Sequence, residues 1–159
     1  MTARMNPYAH AEITQPFIDY ATSAAEVSGL EHSLLELVKI RASQINGCAI
    51  CLHMHSRDAR KAGESEMRVI MLSAWHESPL YSPRERAALG WTEALTRLAG
   101  NSPSDEAYAA VEAEFSERER VALTMAIGTI NAFNRLGAGF QLGHPVAAAD
   151  RHAPEQAAA

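Results

Sequence analysis

Cysteine is nearly absent from this 159-residue chain: there are two, Cys48 and Cys51. A bond between them would close too short a loop to act as a structural staple, so a disulfide-stabilised secreted scaffold is excluded. No run of about 18 apolar residues is present, which excludes a membrane-spanning helix. The opening "MTARMNPYAHAEITQPF" lacks the continuous apolar stretch of a secretory signal, so a cytoplasmic location is the expectation. Positive charge is also scarce. Fourteen Lys and Arg stand against 19 Asp and Glu, for a net charge of −5 and a pI near 5.8. That balance argues against nucleic acid as a partner. The densest basic patch, "RDARK", is explained by an ordinary solvated helix face. Alternating β-branched runs are missing too, which removes the signature of a sheet.

What remains is a helical sequence, rich in alanine, leucine and glutamate, and the expected class is all-α. The length suits one domain over residues 1–159, with about seven helices in a bundle. Residues 1–14 read as an irregular arm, with a first helix opening around Pro16 and ending near Val27. From Glu31 to about Ile45 the spacing of Leu34, Leu35, Val38, Ala42 and Ile45 gives an amphipathic helix. "NG" at 46–47 breaks it, and a new helix runs from about Cys48 to Ala62, before Gly63. A short helix follows over about 66–74. "SPRE" at 82–85 and "SERE" at 116–119 are capping boxes, and "SPSD" at 102–105 repeats the Ser-Pro device. They open helices to about Leu98, to about Phe115 and to Gly137. The apolar segment at 120–136 suits either the core or a subunit interface. The tail from 146 to 159 has little to bury and is expected to be irregular.

The two cysteines and two histidines share one decapeptide, "NGCAICLHMH". On a helix Cys48, Cys51 and His55 lie at i, i+3 and i+7, along one face, while His53 points elsewhere. A helix beginning near Cys48 puts both thiols in its first turn, where backbone N–H groups favour a thiolate. A thiolate of this kind can attack a peroxide, become a sulfenic acid and condense with a neighbouring thiol. Three readings stay open on these residues: a redox dithiol, inert burial of small side chains, and zinc held by the cysteines with a histidine. Glu36 is a candidate acid–base partner, since the NG break can fold its helix back beside the cysteines. Glu31, Glu64 and Glu66 are nearly as well placed by sequence.

Glu36, eleven residues, Cys48-x-x-Cys51, three residues, His55: this arrangement resembles the core motif of the alkylhydroperoxidase D-like (AhpD-like) proteins, within the carboxymuconolactone decarboxylase family. "LVKIRASQINGCAICLHMHSRDARKAGESE" and "SPLYSPRERAALGWTEALTRL" carry the resemblance, which covers about residues 16–98 and extends more weakly through "INAFNRLG". It implies an all-helical subunit assembling as a trimer or hexamer, and reduction of hydroperoxides through the cysteine pair. By position, Cys51 would be the peroxide-attacking thiol and Cys48 the resolving thiol. His55 would help deprotonate Cys51, and Glu36 would serve a proton relay. The reductant would be an external dithiol, such as a dihydrolipoyl or thioredoxin-like protein, with no metal or organic cofactor. One position departs from the best-known branch: Ile50 stands where a histidine commonly precedes the second cysteine.

A decarboxylase-type lyase on a lactone or keto acid, with dispensable cysteines, is the alternative within the same fold. A non-enzymatic redox sensor or zinc-binding oligomer is the alternative outside it. His32, His76 and His144 read as solvated or hydrogen-bonded side chains, and Trp75 and Trp91 as core or interface. Asn131, Asn134 and Arg135 are polar residues of the last helix suited to capping or bridging subunits.

Overall fold

In the computed structural model, residues 2–146 are described. They form seven α-helices: α1 (Ala11–Val27), α2 (His32–Asn46), α3 (Ala49–Lys61), α4 (Glu66–Met71), α5 (Pro83–Thr96), α6 (Asp105–Glu114) and α7 (Glu117–Gly139). Short 3₁₀ turns cover Pro7–Ala9 and Leu72–Ala74. The fold is all-α, as the composition and periodicity predict.

The helix ends show why these segments fold locally. Both predicted capping boxes form: the Ser82 and Ser116 hydroxyls accept from the N–H groups of Glu85 and Glu119, whose carboxylates reach back to the cap N–H. Gly47 ends α2 in the left-handed region at φ 64°, where a side chain would be strained. Cys48 then takes an extended conformation as the N-cap of α3, whose first helical residue, Ala49, lies one past the predicted start.

Four boundaries differ from expectation. The arm is not irregular as far as residue 14. Asn6 caps the Pro7–Ala9 turn and α1 begins at Ala11, with Pro16 inside it. Proline there forfeits one backbone bond, to the Glu12 carbonyl, near an end where few bonds have yet formed. The serine that caps α6 is Ser104, accepting from Ala107 N–H, and not Ser102. Two serines flank Pro103, and the pattern does not distinguish them. Finally, α5 ends at Thr96 and α7 continues to Gly139. Apart from Val146, the tail expected to be irregular lies outside the described residues.

The centre of the bundle is α2. One side of it, with Leu34, Leu35 and Val38, packs against Ala88, Val111, Leu123 and Ile127 of α5, α6 and α7. The other side, with Leu37 and Ile40, meets Ala59, Leu72, Trp75, Tyr81 and Leu89. The predicted stripe is therefore only half of its buried surface. By contrast α7 is one-sided: Leu123, Ile127 and Ile130 face inward, while Val121 and Met125 are exposed.

Buried charge ties three elements together. Glu93 of α5 accepts hydrogen bonds from Trp75 Nε1 at 2.7 Å and Arg41 Nε at 2.8 Å. Burial raises its pKa, but these donors and the Arg41 and Arg97 guanidinium groups outweigh that and hold it at about 2. Trp75 is thus a core residue with its N–H satisfied, and Trp91 is half-buried with its N–H donated to Thr124 Oγ1 at 3.0 Å. Asn131 and Asn134 face inward rather than capping a helix or bridging subunits. Asn46 donates to both side-chain oxygens at 2.9 Å, and Asn134 donates to Ser43 at 3.0 Å. This buried network fastens α7 to the C-terminal turn of α2, beside the cysteines. Arg135 donates to its own helix, to the Asn131 carbonyl.

Candidate active site

The NG break does what the sequence suggests: it turns the chain so that α3 runs back alongside α2. Cys48 N–H donates to the Ser43 carbonyl at 3.1 Å, anchoring the cap residue to the helix before it. Cys48 and Cys51, with Cα atoms 5.4 Å apart, are joined as a disulfide. Cys48 is fully buried and Cys51 is 6% exposed, so the outer sulfur of the pair is Cys51.

One turn further along α3 stands His55. Its Nδ1 lies 2.9 Å from Glu36 Oε2 of α2, and Lys39 Nζ donates to the other Glu36 oxygen at 2.8 Å. Burial pushes the Glu36 carboxyl up, but the hydrogen bonds from His55 and Lys39, with the Lys39 charge, prevail and hold it at about 2. Glu36 is therefore an anion near neutral pH and can only accept. His55 Nδ1 carries the proton it donates to Glu36, so Nε2 is the ring nitrogen that can act as a base. Among the described residues, Nε2 has no protein partner.

Of the four carboxylates that sequence left in contention, Glu36 is the one hydrogen-bonded to His55. Glu31 pairs with Arg84, Glu64 with Arg68 and Glu66 with Arg60, all away from the cysteines. His53 is turned from the site and stacks on His144 with ring centroids 5.2 Å apart. His76 stacks on Trp75, and His32 is an exposed neighbour of Glu36 at 3.9 Å. Among the described residues, no group of three or more His, Cys, Asp or Glu is placed to hold a metal ion.

Cys51 and His55 open on a cavity of about 890 Å³ between α1 and α7, within the roughly 300–1,000 Å³ typical of small-molecule sites. Its walls are mostly apolar, with Leu35, Ile50, Met54 and Phe133 nearest in kind to a hydrocarbon solvent. No carboxylate lines it; Lys39 and Arg118 are its charged residues.

Two site residues escape sequence reasoning. Lys39, which neutralises Glu36, is signalled only by its i+3 spacing on the same helix. Gly137 of α7 is the other: a Cβ built on it would stand 2.5 Å from Cys48 Sγ and 3.3 Å from Cys51 Sγ. Nothing local in the sequence marks it.

The sequence profile of the carboxymuconolactone decarboxylase family matches residues 11–94, which span α1 to α5 and contain the whole dithiol motif. The chain belongs to the carboxymuconolactone decarboxylase family. Among relatives, the uncharacterized protein YdfG of Bacillus subtilis is 44% identical over 109 residues, covering 69% of this chain and 74% of that protein. The uncharacterized protein YnjA of Escherichia coli is 26% identical over 133 residues, covering 80% and 72%. A crystal structure from Agrobacterium tumefaciens superposes with a TM-score of 0.87 at 40% identity, covering 92% of this chain and 100% of that one. That protein is of unknown function and provisionally assigned as an antioxidant defence protein AhpD. A peroxidase-related protein from Silicibacter, 20% identical with a TM-score of 0.68 over 79% of this chain and 69% of that one, shares the fold. The family member described here is thus AhpD-like in architecture. Among its described residues no helix is long and apolar enough to cross a membrane.

Proposed function

We propose that this protein is a thiol-dependent hydroperoxide reductase, with Cys51 as the attacking thiol and Cys48 as the resolving thiol. The observation that carries the reading is the Glu36–His55 pair held at 2.9 Å, one helical turn from a dithiol at the edge of an apolar cavity. A peroxidatic cysteine needs a base, a resolving partner and a sulfur that a cavity opens to peroxide. Each has a candidate here.

In the proposed cycle His55 Nε2 takes the Cys51 proton and the thiolate attacks the distal peroxide oxygen. The O–O bond breaks, Cys51 becomes a sulfenic acid, and the leaving alkoxide takes the His55 proton and departs as an alcohol. Cys48 sulfur then attacks Cys51 sulfur, hydroxide leaves with the Cys48 proton as water, and the disulfide forms. An external dithiol, of the dihydrolipoyl or thioredoxin kind, restores both thiols by two exchange steps. Glu36, held at about 2, is a fixed charge that orients His55 and steadies its protonated form rather than a group that itself takes up the proton. Ile50 takes up an apolar wall where a second imidazole would extend the relay. The apolar lining favours an organic hydroperoxide over hydrogen peroxide, and the protein acts as a homo-oligomer.

Peroxide consumption with a panel of dithiols tests this directly. Wild type should turn over cumene or tert-butyl hydroperoxide, and Cys51→Ser should fall to the uncatalysed background. Full turnover by Cys51→Ser on any substrate the wild type accepts would place the activity with the lyases of the same fold. Mass spectrometry should find a Cys48–Cys51 bond after excess peroxide.

A further inference from the structure

Helix α7 carries three glycines, and they are not equivalent. Gly128 and Gly139 have open space where a Cβ would go, whereas a Cβ on Gly137 would meet Cys48 Sγ at 2.5 Å, Ile50 Cγ2 at 3.0 Å and Cys51 Sγ at 3.3 Å. The first of these is closer than real carbon and sulfur atoms come. Glycine weakens a helix interior because it has most backbone freedom to lose, so a buried one in the last turns of α7 calls for a packing reason. The sulfur of Cys48 supplies it.

Neither side of this contact can readily retreat. Cys48 is tied at both backbone groups, by Cys48 N–H to Ser43 carbonyl at 3.1 Å and by Leu52 N–H to Cys48 carbonyl at 2.9 Å. One turn before Gly137, Asn134 is locked into the Asn46 and Ser43 network at 2.9 and 3.0 Å. Just after it, Leu142 N–H bonds the Gly137 carbonyl at 2.9 Å. What remains free is the torsion of the Cys48 side chain. A reduced cysteine can choose among staggered rotamers, but a disulfide fixes one of them.

We propose that Gly137 is a positioning residue for closure of the Cys48–Cys51 disulfide, its missing side chain leaving the space Cys48 sulfur occupies when bonded to Cys51. A side chain there would turn the Cys48 sulfur away from Cys51. The dithiol form tolerates this and the disulfide does not. This rests on the redox reading of the cysteine pair. It concerns the resolving step, in which Cys48 sulfur bonds to the Cys51 sulfenic sulfur and water departs. It leaves the initial attack on peroxide largely alone.

The test compares wild type, Gly137→Ala and, as a matched control on the same helix, Gly128→Ala. Each is equilibrated with oxidised and reduced dithiothreitol, and the Cys48–Cys51 bond is read by alkylation and mass spectrometry. Gly137→Ala should shift the equilibrium at least tenfold toward the dithiol, with Gly128→Ala at the wild-type value. After one equivalent of peroxide, Gly137→Ala should accumulate dimedone-trappable Cys51 sulfenic acid. A second cycle separates this role from general packing. In a Cys48→Ala background, where the sulfur is gone, Gly137→Ala should no longer lower the melting temperature. An unchanged disulfide equilibrium, or an equal melting loss in both backgrounds, overturns the proposal. If wild type forms the disulfide with dithiothreitol yet consumes no peroxide, the peroxidase reading fails while the role of Gly137 stands on the equilibrium data.

Discussion

Glu36 is a carboxylate only 3% exposed, and it keeps its charge because two donors meet its two oxygens. His55 and Lys39 outweigh the burial that would raise its pKa, and hold it at about 2, well below the usual carboxylate range. A depressed carboxyl stabilises the fold above its unfolded value and loses that contribution as pH falls through its folded value. The window is therefore about pH 4.5 down to about 2, and the amount is on the order of 2–3 kcal/mol. Glu36→Gln should flatten the loss of stability in that window, measured by urea denaturation at successive pH values. At neutral pH the same change should cost about 1–3 kcal/mol, since it removes charge-assisted bonds and leaves one acceptor for the two donors, His55 and Lys39. Peroxide turnover should fall with it, because the ring loses the partner that fixes its tautomer. An unchanged pH profile would show that Glu36 is not the ion the geometry describes. Much of this cluster was legible beforehand. Cys48, Cys51 and His55 share a helical face by simple spacing, while Glu36 stood out from three other glutamates only through family resemblance. Gly137 was illegible because its significance is a distance across the bundle, and no local pattern encodes that.

At the scale of helices, short local signals set where an element begins. Ser116 closes a reciprocal cap with Glu119 at the start of α7, the helix whose far end packs on the dithiol. Ser116→Ala should lower stability by about 1 kcal/mol and the melting temperature by a few degrees. Gly128→Ala, an exposed mid-helix change with open space for its methyl group, should act in the opposite sense by about 0.5–1 kcal/mol. Calorimetry on the two variants checks both signs together. Capping boxes were readable because one serine and one glutamate satisfy each other within four residues. The start of α1 was not, since Pro16 reads equally as a first-turn residue and as a tolerated interruption. Which serine caps α6 was equally hidden, because the choice depends on how the chain leaves α5.

Across the whole molecule, α1 and α7 carry large apolar side chains that the described chain leaves exposed. No residue of α1 is fully buried, yet Ile13 and Val27 are 72% and 65% exposed, and Val121 of α7 is 61% exposed. An apolar segment at 120–136 reads from sequence as core or interface alike, because burial by the same chain and by another copy demands the same side chains. The structure resolves its inner face into core, and leaves the outer face to be accounted for. Apolar side chains left exposed in this number suit contact with another molecule, and a second copy covering α1 and the outer face of α7 would bury them. Sedimentation should therefore give a mass that is a multiple of 17.2 kDa, with three or six copies expected. Val121→Glu should shift that mass toward the single subunit, since a charge buried in such an apolar contact is left unpaired. Its circular dichroism should be unchanged because the position lies outside the core. A wild-type protein that sediments as one subunit would reject the assembly, and would leave the apolar rim of the cavity to contact substrate or reductant alone.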